Sequence, residues 1–324
     1  MALSLILLLN GCGGETTTPS EPSSNNDYTP SNAADEPSSY TPSSGSTNTS
    51  AWNIEGDLNS SLAVEALNKI RSDAGLTTLK TNILLEESAQ NHANYVWDVW
   101  IKYRVDVGHY EYTEYASEYY TGQLKERIQK VYSEKGVQML SSPYSENLSM
   151  EIGSNYNQSL AELMSAIYHR FGFLETSLTE VGVGYINGVW DYNMASNSSQ
   201  RLKNPSIVIY PYSGQKQVRR YYKNNESPDP LYGKGIVGSV GNPISIEFTN
   251  STSVSSFKLY EVTNGTKTEI TNVLMMDKSN DPNNRFSSAQ YALFPLDVLK
   301  ANTTYRAEVV YSGGFENWEF VTSL

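Results

Sequence analysis

The sequence predicts an α+β chain in which a mixed helix-and-strand unit precedes a small all-β sandwich. Three observations lead there. Between 57 and 173, apolar residues recur at three- and four-residue spacing in four stretches, the period of a helix facing a core. Between 180 and 210, short runs rich in β-branched and aromatic residues take over. Beyond a Pro-rich crossing at Ser227-Pro228-Asp229-Pro230, only short alternating runs bounded by turn residues remain. Helices first, with strands closing the same unit, make 57–213 one α+β or α-β-α sandwich domain. Residues 214–235 read as a linker, and 236–324 as a separate β-sandwich.

At the N-terminus, Ala2 to Leu9 form a short apolar run followed by Asn10-Gly11-Cys12. Such a run ended by small residues suits an export leader. Leu9, Gly11 and Cys12 resemble the cleavage box of bacterial lipoproteins, in which the cysteine thiol receives a diacylglycerol and becomes the mature N-terminus. Asn10 departs from that pattern, and no Lys or Arg precedes the run. Residues 1–12 are therefore expected to be a lipoprotein signal peptide ending at a lipidated Cys12. The resemblance makes the membrane a partner through the N-terminal lipid. It places the protein outside the cytoplasm, anchored to the bacterial cell envelope at the outer membrane or cell surface; a plain signal peptide would make it secreted. Residues 13–53 hold no Lys or Arg and are dominated by Ser, Thr, Pro, Asn and Gly, so they are expected to be a disordered tether.

The first helix places Leu62, Ala63, Ala66, Leu67, Ile70 and Ala74 on one face and stops at Gly75. A second is expected over 82–103, with Leu85, Ala89, His92, Ala93, Val96 and Trp100 on one side. A third covers 122–135, with Leu124, Ile128, Val131 and Tyr132 apolar. A fourth covers 159–173, where Ser159 and Glu162 form an S-x-x-E capping box. Strands are expected at 180–186, 189–195 and 206–210. In the last unit, runs at 244–248, 256–262, 267–270, 291–294, 304–311 and 318–322 alternate, and Asn264-Gly265 is a hairpin signal. This unit resembles the bacterial Ig-like modules appended to surface proteins, through L-x-x-N-T-T-Y at Leu299 to Tyr305 and F-V-T at Phe320 to Thr322.

Composition excludes whole classes. The chain has 324 residues, 35 acidic and 23 basic, for a net charge of −12. Its densest cationic spot is Arg219-Arg220 with Lys223, so no nucleic acid is expected as partner. One cysteine rules out an intramolecular disulfide, a cysteine-ligated zinc finger and a CxxC redox site. No apolar run approaches the roughly 18 residues that span a bilayer. No G-x-S-x-G, P-loop or H-E-x-x-H occurs. Asp277, Asn280, Asp281 and Asn283 cluster without EF-hand spacing and read as an Asx-rich turn rather than a Ca²⁺ loop. Tyrosine is in excess, 24 against 8 Phe and 5 Trp, and is expected to supply much of the buried area.

The segment ALNKIRSDAGLTTLKTNILLEESAQNHANYV is similar to the opening of the CAP superfamily, the cysteine-rich secretory, antigen 5 and pathogenesis-related-1 proteins. Gly108-His109, Ser145-Glu146-Asn147-Leu148, Tyr168-His169-Arg170 and Thr179 to Gly184 (TEVGVG) follow in the family's order; its G-E-N-[I/L] motif stands here as S-E-N-L. The resemblance covers about half the chain. It implies an α-β-α sandwich with a cleft lined by His and Glu. Carried over residue by residue, it implies that His109 and Glu146 face each other across that cleft, with His169 beside them. A second glutamate that animal and plant members hold on the His169 helix is replaced here by Ala166. Angular arithmetic puts His169 on one face with Glu162, Ser165 and Ala166.

Glu111, two residues after His109, joins the cleft if that segment is extended. Asn147 is expected to bond backbone in a turn. Glu180, at the start of a strand, has either side open to it, and Arg170 reads as a carboxylate clamp or a surface salt bridge. His92, on an apolar face, reads as a buried core histidine. Two chemistries stay open for His109, Glu146 and His169. No cofactor is required if they form a metal-free polar site; alternatively they ligate zinc or another divalent metal. The function favoured is a surface module binding a lipid, glycan, peptide or other small ligand. The alternative is a metal-assisted hydrolase of envelope substrates, with Glu146 as general base.

Overall fold

The computed structural model describes residues 7–9, 58–115, 117–139 and 141–324. Cys12 and the tether at 13–53 lie outside the described residues, as does the leader apart from strand β1 (Leu7–Leu9). Helix α1 (Leu58–Asp73) stops at Gly75, whose φ of 81° lies in the left-handed region. There the N–H groups of Gly75 and Leu76 bond back to the carbonyls of Ser72 and Arg71. After β2 (Lys80–Thr81), α2 (Ile83–Tyr103) starts at Asn82, whose side chain accepts from the N–H of Leu84 and Leu85. Then come α3 (Leu124–Glu134) and β3 (Tyr144–Met150), the strand that carries S-E-N-L.

The single helix expected over 159–173 is in fact two, α4 (Tyr156–Ser165) and α5 (Ile167–Leu174). Ala166 between them is extended, with φ −81° and ψ 121°. The capping box is Asn155 with Gln158, one turn before the one expected at Ser159. Ser159 is instead buried, its hydroxyl 2.7 Å from that of Ser149. Periodicity ran through the break because both helices are buried and both read as apolar.

Strands β4 (Leu178–Ile186) and β5 (Val189–Ser196) form a hairpin turned at Asn187-Gly188, both at positive φ. The first sheet runs β2-β4-β5-β3-β1, and its last strand is β8 (Glu226–Ser227). Helix α2 lies directly on β4. A Cβ at Gly182 would stand 2.0 Å from the Glu86 nitrogen, and one at Gly184 2.3 Å from the Ala89 carbonyl carbon. The two glycines of T-E-V-G-V-G are there to admit the helix backbone.

The strand expected at 206–210 forms as β6 (Ile207–Tyr210), yet it does not join the first sheet. It pairs antiparallel with β10 (Ile244–Phe248) of the C-terminal region. Strands β7 (Tyr221–Tyr222) and β9 (Val240–Gly241) make a small ladder between. The remaining strands are β11 (Val254–Thr263), β12 (Thr266–Ile270), β13 (Val273–Met276), β14 (Gln290–Pro295), β15 (Thr304–Tyr311) and β16 (Gly314–Val321). They complete two four-stranded antiparallel sheets, β13-β14-β10-β6 and β12-β11-β15-β16. Ile244, Ile246, Leu293, Phe257, Leu259, Ala307, Val309 and Phe320 fill one core between them. Asn264 and Gly265, at φ 51° and 78°, turn the β11–β12 hairpin as their pairing in sequence predicts.

The two regions share a core. Met276, Phe286, Ala292 and Phe294 of the all-β region pack in one cluster with Leu163, Ile167, Tyr168 and Trp190. Arg170 crosses the same boundary. It is neither a carboxylate clamp nor a surface pair: buried on α5, it donates to the carbonyls of Met164 and Pro243 and to Asn242 Oδ1. Tyr95, Tyr192, Tyr222 and Tyr305 are among the largest fully buried side chains.

The helix–strand contact at Gly182 is tight enough to test. Gly182→Ala is expected to lower stability by about 3 kcal/mol or more, since the new methyl meets backbone that cannot swing away. Urea unfolding of the full chain measures this, and an unchanged midpoint would show that α2 does not lie as close as described.

Candidate functional site

Alternation along two paired strands builds the site. In the register of β3 with β5, Glu146 stands opposite Asn193 and Leu148 opposite Asp191. Leu148 and Met150 pack with Ala93, Val96 and Val99 of α2. Glu146, two residues before Leu148, therefore projects to the same side of the sheet. It is 3% exposed. His109 Nδ1 lies 2.6 Å from its Oε2. Its Oε1 accepts from Asn193 Nδ2 at 3.1 Å and from the Arg127 guanidinium.

Arg127, on α3 and 2% exposed, ties several parts together. Besides Glu146, it donates to the carbonyls of His109 and Gly122, each at 3.1 Å, and stands 3.8 Å from Glu111 Oε1. Glu111 does not join His109. It pairs with His92 Nδ1 at 3.0 Å and accepts the N–H groups of Thr121 and Gly122 at 2.5 and 2.9 Å. His92 Nε2 lies 3.0 Å from the Gly108 carbonyl. Two His–Glu pairs thus share one guanidinium.

The electrostatics divide two neighbouring carboxyls. Burial would raise Glu146, but Arg127, His92 and His109 together outweigh it and hold the group well below the usual carboxylate range. Asp191 goes the other way: burial, and then the Glu146 charge, push it well above. Asp191 is 0% exposed, and its Oδ1 has no hydrogen-bond partner.

His169 completes the set from α5. Its ring stacks on that of His109, centroids 6.1 Å apart and planes 23° from parallel. Its Nδ1 lies 2.8 Å from Glu226 Oε1, which also accepts the N–H of Tyr168 at 2.9 Å and of His169 at 3.1 Å. Ala166 carries no carboxylate, as expected, and the one on the His169 ring comes from β8, in the stretch read as a linker. Glu226 Oε2 is buried with no hydrogen-bond partner. Asn147 sits inside a strand rather than a turn, and its Nδ2 donates to the His169 carbonyl at 2.8 Å. Glu180 stands apart, on Asn82 Nδ2 at 2.7 Å. Glu162 forms ion pairs with Arg219 and Lys223. Asp281 bonds Tyr168 and the N–H groups of Asn283 and Phe286, as a turn does.

The donor set does not fit the three-ligand metal site. Both Glu146 oxygens are taken by Arg127, Asn193 and His109, and among the described residues no three His, Cys, Asp or Glu side chains stand where they could hold an ion. Four residues of the site escape a motif reading: Arg127, Asp191, Asn193 and Glu226. Arg127 shows one signal, a charge on the apolar stripe of Leu124, Ile128 and Val131. Asp191 and Asn193 show another, polar residues at alternate positions of a buried strand. Glu226 shows none, being 57 residues from His169.

Asp191 makes the buried pair testable through pH. The folded state holds its proton more tightly than the unfolded chain does, so stability falls as pH rises from the unfolded value of 3.8 through the raised folded value. Glu146 acts oppositely, its contribution being lost as pH falls through its lowered value. Asp191→Asn removes the first dependence. Its stability relative to wild type is expected to rise as pH climbs above the unfolded value of 3.8. Urea unfolding across that range reads it, and parallel profiles would show Asp191 ionised in the fold.

Two solved bacterial proteins are similar in part. One is an extracellular protein containing an SCP domain from Bacillus anthracis str. Ames, with TM-score 0.35 at 22% identity over 43% of this chain and 40% of that one. The other is a cysteine-rich secretory protein from Staphylococcus aureus subsp. aureus Mu50, with TM-score 0.31 at 14% identity over 45% of this chain and 40% of that one. The chain spans about two fifths of the length of each. No curated protein matches it. Residues 64–197 match the model of the cysteine-rich secretory protein family, CAP. That span holds His92, His109, Glu111, Arg127, Glu146, His169 and Asp191 within the α+β fold just described, so the CAP match covers the whole His109–Glu146 network.

Proposed function

We propose that the chain is an exported surface protein whose CAP domain binds an extracytoplasmic ligand (a lipid, glycan or peptide) beside His109 and does not hydrolyse it. The observation that carries this reading is the state of Glu146. A general base works best with a proton affinity near the operating pH. Arg127 holds Glu146 far below that, and both of its oxygens are engaged by Arg127, Asn193 and His109. Asp191, shifted the other way, is fully buried and out of a substrate's reach. The network fixes side chains in place, as a binding surface requires. Among His109, Glu111, Glu146, Arg127 and His169, His109 keeps the largest exposed share.

Export and anchoring rest on the apolar run before Cys12 and on the Ser/Thr/Pro-rich tether, which holds no Lys or Arg. In this reading Cys12 carries the lipid, 13–53 spans the distance from the membrane, and the all-β region is an Ig-like spacer.

Two measurements test the proposal. Purified full chain is expected to sediment with cell-envelope material without releasing soluble fragments, and His109→Leu to weaken retention about tenfold. Release of fragments that is lost in Glu146→Gln would overturn binding in favour of hydrolysis. Radiolabelled palmitate is expected on the wild-type chain in cells and absent from Cys12→Ser; label persisting in the variant would refute the anchor.

A further inference from the structure

The first sheet contains a gap that a single strand fills. Strand β1 lies between β3 and β8. It is antiparallel to β3, with Leu7 opposite Met150, Leu8 opposite Ser149 and Leu9 opposite Leu148. It is parallel to β8, with Leu8 opposite Glu226 and Leu9 opposite Ser227. In the strand order β3 and β8 are each next to β1 and not to each other. Neighbouring strands lie about 4.8 Å apart, so the two flanking edges stand about 10 Å apart, one strand's width between them.

Each wall of this gap is held without β1. On one side, β3 is paired along its whole length with β5. On the other, β8 is fixed by the Glu226 side chain, which takes the N–H groups of Tyr168 and His169 and the His169 ring, and by the Glu226 N–H, which donates to the Tyr222 hydroxyl at 3.2 Å. A sheet edge held open in this way presents unpaired backbone N–H and C=O groups, the template for strand addition. Leu148, Met150 and Glu226 beside it are all buried, so an occupant leaves water. The occupant seen is three consecutive leucines of the chain's own apolar run, the run that reads as a removable leader.

We infer that the gap between β3 and β8 is a strand-acceptor slot for an extended apolar peptide, and that Leu7–Leu9 occupies it as an internal stand-in. Affinity comes from backbone pairing on both sides, and direction is set by the register: antiparallel to β3, parallel to β8. A chain that keeps its leader blocks its own slot, and one that loses it opens the slot to another polypeptide. The slot lies on the free edge of β3, while His109 and Glu146 meet on the strand's face. Failure of the His109 site as a ligand site therefore leaves this inference standing.

The probe is a fluorescent peptide with the sequence of residues 5–10 and solubilising lysines at its end, titrated by anisotropy into the full chain. Wild type with its leader in place, checked by mass, is expected to bind weakly. Leu8→Pro, which cannot keep β1 in the ladder, is expected to bind at least about tenfold more tightly. The same peptide N-methylated at its Leu8 position is expected to lose that gain, since its side chains are unchanged and only a backbone donor is gone. Equal binding by wild type and Leu8→Pro, or equal binding of the methylated and unmodified peptides by Leu8→Pro, would overturn the inference.

Discussion

The buried guanidinium of Arg127 is the constraint on which the site depends. One side chain on α3 engages Glu146 on β3, approaches Glu111 and takes two carbonyls from the connection between α2 and α3. Burying a cation costs several kcal/mol, which the Glu146 pair and the two carbonyls offset, Nε alone being left without a hydrogen bond. The consequence is directional. Arg127 and the two histidines hold Glu146 low, while burial, and then the Glu146 charge, push Asp191 up. His109 then has an anionic partner at 2.6 Å and a set orientation, and it is against this ring that His169 stacks.

A second dependence runs outward from His169. The family match ends at 197, yet the carboxylate on the His169 ring comes from Glu226. Arg170, the next residue on the same helix, bonds Asn242 and Pro243. Helix α5 is therefore held from the C-terminal side, by groups beyond the matched span. The shared core of Tyr168, Phe171 and Phe286 makes the same point in apolar terms, with Phe286 edge-on to both rings. The all-β region thus buries one wall of the site.

What was legible in the sequence follows from range. Local rules succeeded where local physics decides: Gly75 as a helix stop, Asn264-Gly265 as a hairpin, α2 and α3 from their apolar faces. The pairing of His109 with Glu146 was legible through motif resemblance, since no spacing argument links residues 37 apart. The helix break at Ala166 was not legible, because tertiary burial replaced the amphipathic pattern that would have marked two ends. Nor was the transfer of β6 to the C-terminal sheet, since a strand's apolar run does not name its partner. Glu111 shows the limit of a two-residue rule. The chain turns at Gly108-His109, where the Tyr110 N–H bonds the Val107 carbonyl, rather than running extended, and Glu111 reaches His92 instead.

The same network bears on how a chain with a single cysteine holds this fold together. Disulfides constrain the unfolded chain, whereas buried charge networks act on the folded one, by making every alternative arrangement leave an unpaired ion. Arg127, Arg71 and Arg170 are three buried guanidiniums that each collect carbonyls from separate elements: Arg71 those of Thr77, Phe173 and Glu175, Arg170 those of Met164 and Pro243. Each carbonyl so held is a chain crossing pinned without covalent chemistry. Such pins tolerate little repacking, because a lysine's point charge cannot reproduce a planar fork with five donors. The site's geometry is thus set by the same kind of contact that closes the fold around it.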